Sequence, residues 1–227
     1  MSESLLSLPP SWSLQRPKPA LQHGYDFLMA PLRMTLLPDQ VAERLHVTSL
    51  RAERLAVAVR ELRGRCLDVG AGDNTLVRLY TSLAQELGIA PDAAANSVGV
   101  DVVDWGGGCH IIESADNLPF PDASFDSVSF IACLNHIPER DAALLEARRV
   151  LRPGGRIVIT MIGRLIGKVG HAIWWYSEDK HREIDEHEEM GLDHREVLNL
   201  IRQAGFKTAQ VKNFVYGLNH LYVAERD

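Results

Sequence analysis

The stretch Leu67-Asp68-Val69-Gly70-Ala71-Gly72-Asp73-Asn74-Thr75 decides the fold. A short apolar run gives way to two glycines one residue apart, and helical spacing of apolar residues takes over from Thr75. The pattern predicts a strand ending in a tight turn that opens a helix. Gly70 and Gly72 let the turn close, and they let a ligand approach main-chain N–H groups with no Cβ in the way. Taken alone, Gly-x-Gly is more often an ordinary strand-to-helix turn.

The same texture continues on both sides. Short apolar runs bounded by glycines and acids lie at 66–69, 98–102, 110–112, 128–131 and 157–161. Helix-length segments at 75–87 and 141–151 separate several of them. Strands alternating with helices imply right-handed crossovers and a mainly parallel sheet covered on both faces. A further helix at 196–203 and two closing strands near 208–216 and 220–224 complete the expectation. It is a doubly wound, Rossmann-like α/β fold with a seven-stranded sheet and an antiparallel terminal strand.

Before this region the chain has another character. Residues 1–22 are rich in Ser and Pro and read as a flexible or extended arm. From Tyr25 onward Leu28, Leu32 and Leu36 recur at helical spacing, a second helix opens near Pro38 and Asp39, and a third carries Leu55, Val59 and Leu62 to a stop at Gly64. The division is an arm and helical preface at 1–62 and one α/β domain at 63–227, within which 162–193 is the segment the fold explains least.

Composition narrows the class. At 227 residues and 46% hydrophobic content the chain builds one substantial core. A formal net charge of −6 argues against a protein that tracks a phosphate backbone. Cys66, Cys109 and Cys133 are few, scattered and odd in number, which fits reduced thiols better than a disulfide framework. There is no basic leader followed by an apolar stretch and no run long enough to span a bilayer. The expectation is a cytoplasmic monomer or homodimer acting on a small molecule, with neither nucleic acid nor membrane as partner.

A second acid sharpens the glycine turn. Val98-Gly99-Val100-Asp101 is a strand ending in a carboxylate, placed to accept hydrogen bonds from the vicinal hydroxyls of an adenosine ribose. The pair supports a nucleoside cofactor and leaves a nicotinamide dinucleotide and S-adenosylmethionine both open. Thr75 stands where the dinucleotide fingerprint has its third glycine. Asp68 suits the ammonium of an amino-acid tail and would repel a pyrophosphate. Both details favour the cationic ligand.

Leu118-Pro119-Phe120-Pro121-Asp122-Ala123-Ser124-Phe125-Asp126 and Arg149-Val150-Leu151-Arg152-Pro153-Gly154-Gly155 resemble the later motifs of class I S-adenosylmethionine-dependent methyltransferases. The likeness is strongest to the small-molecule, methyltransferase type 11 branch that includes quinone-biosynthesis enzymes. It runs from about residue 64 to 161, with a looser echo at 197–206. The resemblance implies S-adenosylmethionine as cofactor and S-adenosylhomocysteine as product. It places Asp68, Gly70 and Gly72 around the methionine part, Asp101 on the ribose and Val102 on the adenine, with Ala71, Asn74 and Cys133 also among the cofactor-binding residues. Ser114 stands where the family often has an acid for the adenine amino group, and Ala115 offers only its backbone. The Arg149 to Gly155 segment reads as a turn into the strand at 156–161, and Asp126 as a residue fixing the start of its own strand.

The acceptor side is less determined. Cys133-Leu134-Asn135-His136-Ile137 follows the fourth strand, and His136 is the candidate general base, with loop packing as its alternative role. Tyr25 is a candidate for closing over the cofactor. Residues 162–193 read as a substrate cover in which Trp174, Trp175, Tyr176 and His181 lie among acids. His181, Asp185 and Glu188 also fall at helical spacing suited to a metal, although a solvated helix face explains them as well and no metal is expected. The function expected is methyl transfer to a hydroxyl, amine or carbon of a small molecule. The alternatives are a nicotinamide-dependent oxidoreductase and a catalytically silent S-adenosylmethionine-binding scaffold.

Overall fold

A computed structural model describes residues 19–30, 32, 39–163, 192–207 and 209–227. The centre of the molecule is β1 (Cys66–Val69), four residues buried at every position. It pairs in parallel with β2 (Val98–Asp101) on one side and β4 (Phe125–Ile131) on the other. Beyond β2 lies β3 (His110–Ile111), and beyond β4 lies β5 (Leu151–Ile162). The last strand, β7 (Asn219–Glu225), runs antiparallel between β5 and β6 (Gln210–Phe214), so the sheet order is β3-β2-β1-β4-β5-β7-β6. Winding reverses between β1 and β4. In sheets of this kind that reversal opens a crevice at the carboxyl ends of those strands.

Alternate strand residues feed two cores. On one face Leu55, Ala58 and Val59 of α3 (Leu50–Val59) and Leu76, Leu79 and Tyr80 of α4 (Thr75–Ser82) pack on Val158 and Leu221. Ser49 starts α3 by accepting a hydrogen bond from Ala52 N at 3.0 Å. On the other face Leu144 and Ala147 of α6 (Arg140–Val150) and Val197 and Ile201 of α7 (His194–Gln203) pack on Leu67, Val128, Ile157 and Ile159. Each fully buried Leu or Ile contributes about 1.5–3 kcal/mol. Both faces of the central strands are therefore buried, which accounts for their mostly apolar make-up and makes the buried Asp68, Ser127 and Ser129 the exceptions.

The amino-terminal helices are α1 (Ala20–Leu28) and α2 (Asp39–Arg44), and α1 is tied to the segment between α2 and α3 through polar bonds. Asp26 is buried and receives Thr48 N at 3.0 Å and Gln22 Nε2 at 2.9 Å. Leu36 lies outside the described residues. No helix among the described residues is long and apolar enough to cross a membrane.

Three expectations need correction. The segment 75–87 is regular α-helix only to Ser82 and continues as turns in which Leu83 N still reaches Leu79 O and Leu87 N reaches Leu83 O, each at 2.9 Å, while the Thr81 and Ser82 hydroxyls bond back to the Val77 and Leu79 carbonyls and compete with the ladder. A short helix α5 (Pro91–Ala95), opened by its proline, was not foreseen. The Pro153-Gly154-Gly155 turn lies inside β5, which already pairs at Leu151 with Phe125 and resumes register at Arg156 with Ser127. Gly154, at φ 77°, makes this irregularity possible, and its N–H donates to Arg226 O at 2.9 Å. Asp126 does fix its strand: Oδ2 accepts from Arg65 N at 2.7 Å and Oδ1 from Arg152 at 2.6 Å.

Candidate functional site

The turn after β1 is held by β2. Gly70 N and Ala71 N both donate to Val100 O, at 2.9 and 3.0 Å. Gly72 N donates to Asp101 Oδ2 at 2.8 Å, and Val103 N donates to Asp101 Oδ1 at 3.0 Å. Each Asp101 oxygen thus takes one main-chain bond and keeps further acceptor capacity. Gly72, at φ 54°, has no atom within 4 Å of the place a side chain would occupy, so the turn is an open cradle. Gly70 is the reverse case, since a Cβ there would stand 2.7 Å from that of Cys133.

Two further glycines make close approaches that bring the pieces together. A side chain on Gly99 would meet Asn74 Oδ1 at 2.2 Å, and one on Gly107 would meet the Asp73 carbonyl at 2.1 Å. Asn74 adopts φ 60° and sends Nδ2 to Gly108 O at 3.4 Å, while its buried Oδ1 has no hydrogen-bond partner among the described residues. Arg51 of α3 reaches Asp73 at 2.5 Å and Thr75 at 2.8 Å. Burial alone would raise the Asp73 pKa, but the bond and charge from Arg51 bring it below the usual carboxylate value. The clamp ties the glycine turn to the preface helix.

Asp68 lies beneath the turn, 2% exposed. Among the described residues its carboxylate has a single hydrogen-bond partner, the Ser129 hydroxyl of β4 at 2.7 Å. Burial pushes its pKa up to about 7, against the lowering effect of Ser129 and with the charges of Asp101 and Asp73 adding to the rise. A buried carboxylate with no cation bonded to it among the described residues, an open glycine cradle and a strand-end carboxylate form a receptor for a ligand carrying positive charge and a diol.

The tip of β4 forms the adjoining wall. Ala132 is held at φ 55°, its N–H on Thr160 O and Oγ1, each at 3.1 Å. An alanine in this region is sterically costly, and such strain clusters at functional sites. The Cys133 thiol donates to Val69 O at 3.0 Å. Burial first, then Asp68 and Asp101, raise its pKa well above the ordinary thiol value, so it stays protonated. Leu134–His136 is a 3-10 turn. Asn135 Nδ2 donates to His136 Nε2 at 3.0 Å, which occupies the lone pair a base would use.

The remaining candidates fall as follows. Val102 is 53% exposed just past β2. Ser114 accepts Asp116 N at 3.4 Å within its own turn, and Ala115 is buried. The Tyr25 hydroxyl donates to Leu45 O at 3.0 Å. Trp174, Trp175, Tyr176, His181, Asp185 and Glu188 lie outside the described residues, and with them the cover expected at 162–193, whose described residues are only Ile162, Gly163 and the two before α7. Among the described residues no three His, Cys, Asp or Glu side chains converge as metal ligands.

Sequence reasoning passed over Ser129, Arg51 and Gly107. Gly99 carried a signal, because a glycine inside a strand pattern marks a close backbone approach.

Comparison with known proteins agrees with this geometry. A methyltransferase domain model matches residues 67–159. The chain is 28% identical over 182 residues to the ubiquinone/menaquinone biosynthesis C-methyltransferase UbiE of Vibrio vulnificus, covering 70% of each. It is 27% identical over 211 residues to the enzyme of that name from Burkholderia mallei, covering 84% of this chain and 86% of that one. Its fold is similar to that of an S-adenosylmethionine-dependent methyltransferase from Aquifex aeolicus, with TM-score 0.53, 15% identity and coverage of 93% and 100%. With Thr75 bonded to Asp73 where a dinucleotide fold has glycine, these matches displace the nicotinamide alternative. The methyltransferase domain match and the C-methyltransferase relatives support a class I S-adenosylmethionine-dependent methyltransferase, an enzyme that uses that nucleoside as methyl donor.

Proposed function

We propose that this enzyme methylates a carbon atom of a small hydroxylated ring, an acceptor of the kind quinone precursors present. The observation that carries the reading is the likeness to C-methyltransferases over most of both chains. The residues present fit the donor: Asp68 supplies a buried negative charge, Gly72 an open cradle and Asp101 spare acceptor capacity.

Bound S-adenosylmethionine supplies a methyl group on a positively charged sulfur. In this reading Asp68, Gly70, Ala71, Gly72 and Asn74 surround the methionine part, and Asp101 takes the ribose hydroxyls. Val102 offers an apolar surface to the adenine, with Ser114 and Ala115 at its edge. Cys133 walls the site as a neutral thiol, so it does not compete as a nucleophile. Catalysis then consists largely of alignment and exclusion of water.

Product analysis tests the reading. Deuterated methyl donor and a panel of hydroxybenzenes and hydroxynaphthalenes are expected to yield carbon-bound methyl signals by NMR. Exclusive methyl ether or N-methyl products would overturn it.

Asp68 also implies a pH dependence. Its folded-state pKa is raised, so below about 7 the carboxyl is largely protonated and neutral. A cationic ligand favours the ionised form. Donor affinity is therefore expected to climb up to tenfold per pH unit from 5.5 toward 7 and then level off. Calorimetry on Asp68→Asn is expected to show weaker binding without that slope.

A further inference from the structure

His220 lies at the amino end of β7. Because β7 runs antiparallel, that end sits at the carboxyl edge of the parallel strands, where β7 pairs His220 with Met161 of β5 and Asn213 of β6. The Asn213 Oδ1 to His220 Nδ1 distance is 2.8 Å. An amide oxygen only accepts, so Nδ1 carries the proton and Nε2 keeps its lone pair. Among the described residues nothing bonds to that nitrogen. His136 differs, its Nε2 being occupied by Asn135.

The surroundings keep His220 neutral. The titratable groups packed against it are His194 at the start of α7, with ring centroids 5.7 Å apart, and Tyr222 on its own strand at 6.2 Å. Tyr222 OH lies 3.1 Å from His194 Nδ1, and Met161 and Asn213 carry no charge. Burial, then the charge of His194, lowers the His220 pKa below the usual imidazole value, so at neutral pH it is an unprotonated base.

The geometry points to His220 as the general base that takes the proton from a ring hydroxyl of the acceptor. This rests on the carbon-methylation reading above. Two strand spacings separate β4 from β7, roughly 10 Å. A base for oxygen methylation must sit about 3 Å from the attacking oxygen, so His220 is too far from the β4 tip for that task. A hydroxylated aromatic ring bridges the gap, with its oxygen at His220 and an ortho or para carbon toward β4.

The hydroxyl proton moves to Nε2, and the oxygen electron pair enters the ring. The ring carbon bonds to the methyl group while the carbon–sulfur bond breaks, its electrons staying on sulfur. The new sp3 carbon then loses its hydrogen as a proton to water. Imidazolium returns its own proton to the oxygen, so one proton is released per turnover.

The test follows the imidazole nitrogens of 15N-labelled protein saturated with S-adenosylhomocysteine during titration with 2-naphthol or 2-methoxynaphthalene. His220 Nε2 is expected to move as a hydrogen-bonded acceptor with 2-naphthol only. His220→Gln is expected to weaken binding of the naphthol and not of its ether. An unmoved His220 signal, or equal binding of the two probes, would overturn the proposal. In turnover with 2-naphthol, His220→Gln is expected to lower kcat about 10²–10⁴-fold, to raise KM only as far as naphthol binding weakens, and to lose the acid limb of the pH profile. An intact acid limb would overturn it as well. If methylation falls on oxygen, the carbon-methylation reading fails, while the NMR titration still reports on His220 by itself.

Discussion

Asp101→Ala is expected to weaken S-adenosylmethionine binding by roughly 3 kcal/mol, about a hundredfold. Two losses combine. The ribose hydroxyls lose a charged acceptor, a kind of bond that contributes about 1.5–3 kcal/mol. Gly72 N and Val103 N lose the oxygens they donate to, so the glycine turn and the segment after β2 lose their shared anchor. Asp101→Asn keeps one acceptor oxygen and presents an N–H where the other stood, so an intermediate loss is expected. Calorimetry with the fold checked by circular dichroism separates these cases. Unchanged affinity in a folded Asp101→Ala protein would remove this carboxylate from the site.

Gly70→Ala is expected to destabilise the fold by about 3 kcal/mol or more. At φ 72° a Cβ is costly by about 1–2 kcal/mol. The added atom also meets Cys133 Cβ at 2.7 Å and Sγ at 2.8 Å. Overpacking of that kind costs about 1–3 kcal/mol. Adding Cys133→Gly is expected to recover the steric part and leave the backbone part. Gly72→Ala provides the contrast. With open space around it, it carries only the backbone cost in stability, yet its methyl group fills the cradle and donor affinity is expected to fall. Denaturant unfolding and calorimetry on both variants distinguish a glycine needed for packing from one needed for ligand approach.

The difference between those two glycines was not legible in the chain alone. Both stand in the same turn, and both carry positive φ for the same local reason. What separates them is Cys133, which arrives with β4 more than sixty residues later. Asp68 presents the same case. Its position before Gly70 pointed to a cation, but that its bond among the described residues comes from an uncharged group depends on Ser129 of β4 facing it.

His136 and His220 show the point most directly. His136 drew notice because it follows the fourth strand, yet its neighbour Asn135 occupies its lone pair. His220 lies in a closing strand with no motif around it. It reaches the carboxyl edge because β7 inserts antiparallel beside β5.

The sequence determined the strand-helix alternation, the glycine turn and the two acids beside it. Those are local matters: a period of two or 3.6 residues, and the φ values a residue type tolerates. Only the tertiary structure decided, among the described residues, which carboxylate is buried without a cation bonded to it, which glycine is crowded and which histidine keeps an unbonded nitrogen. Each of these is set by atoms from strands far apart in sequence, so each depends on strand order and register, which local preference does not encode.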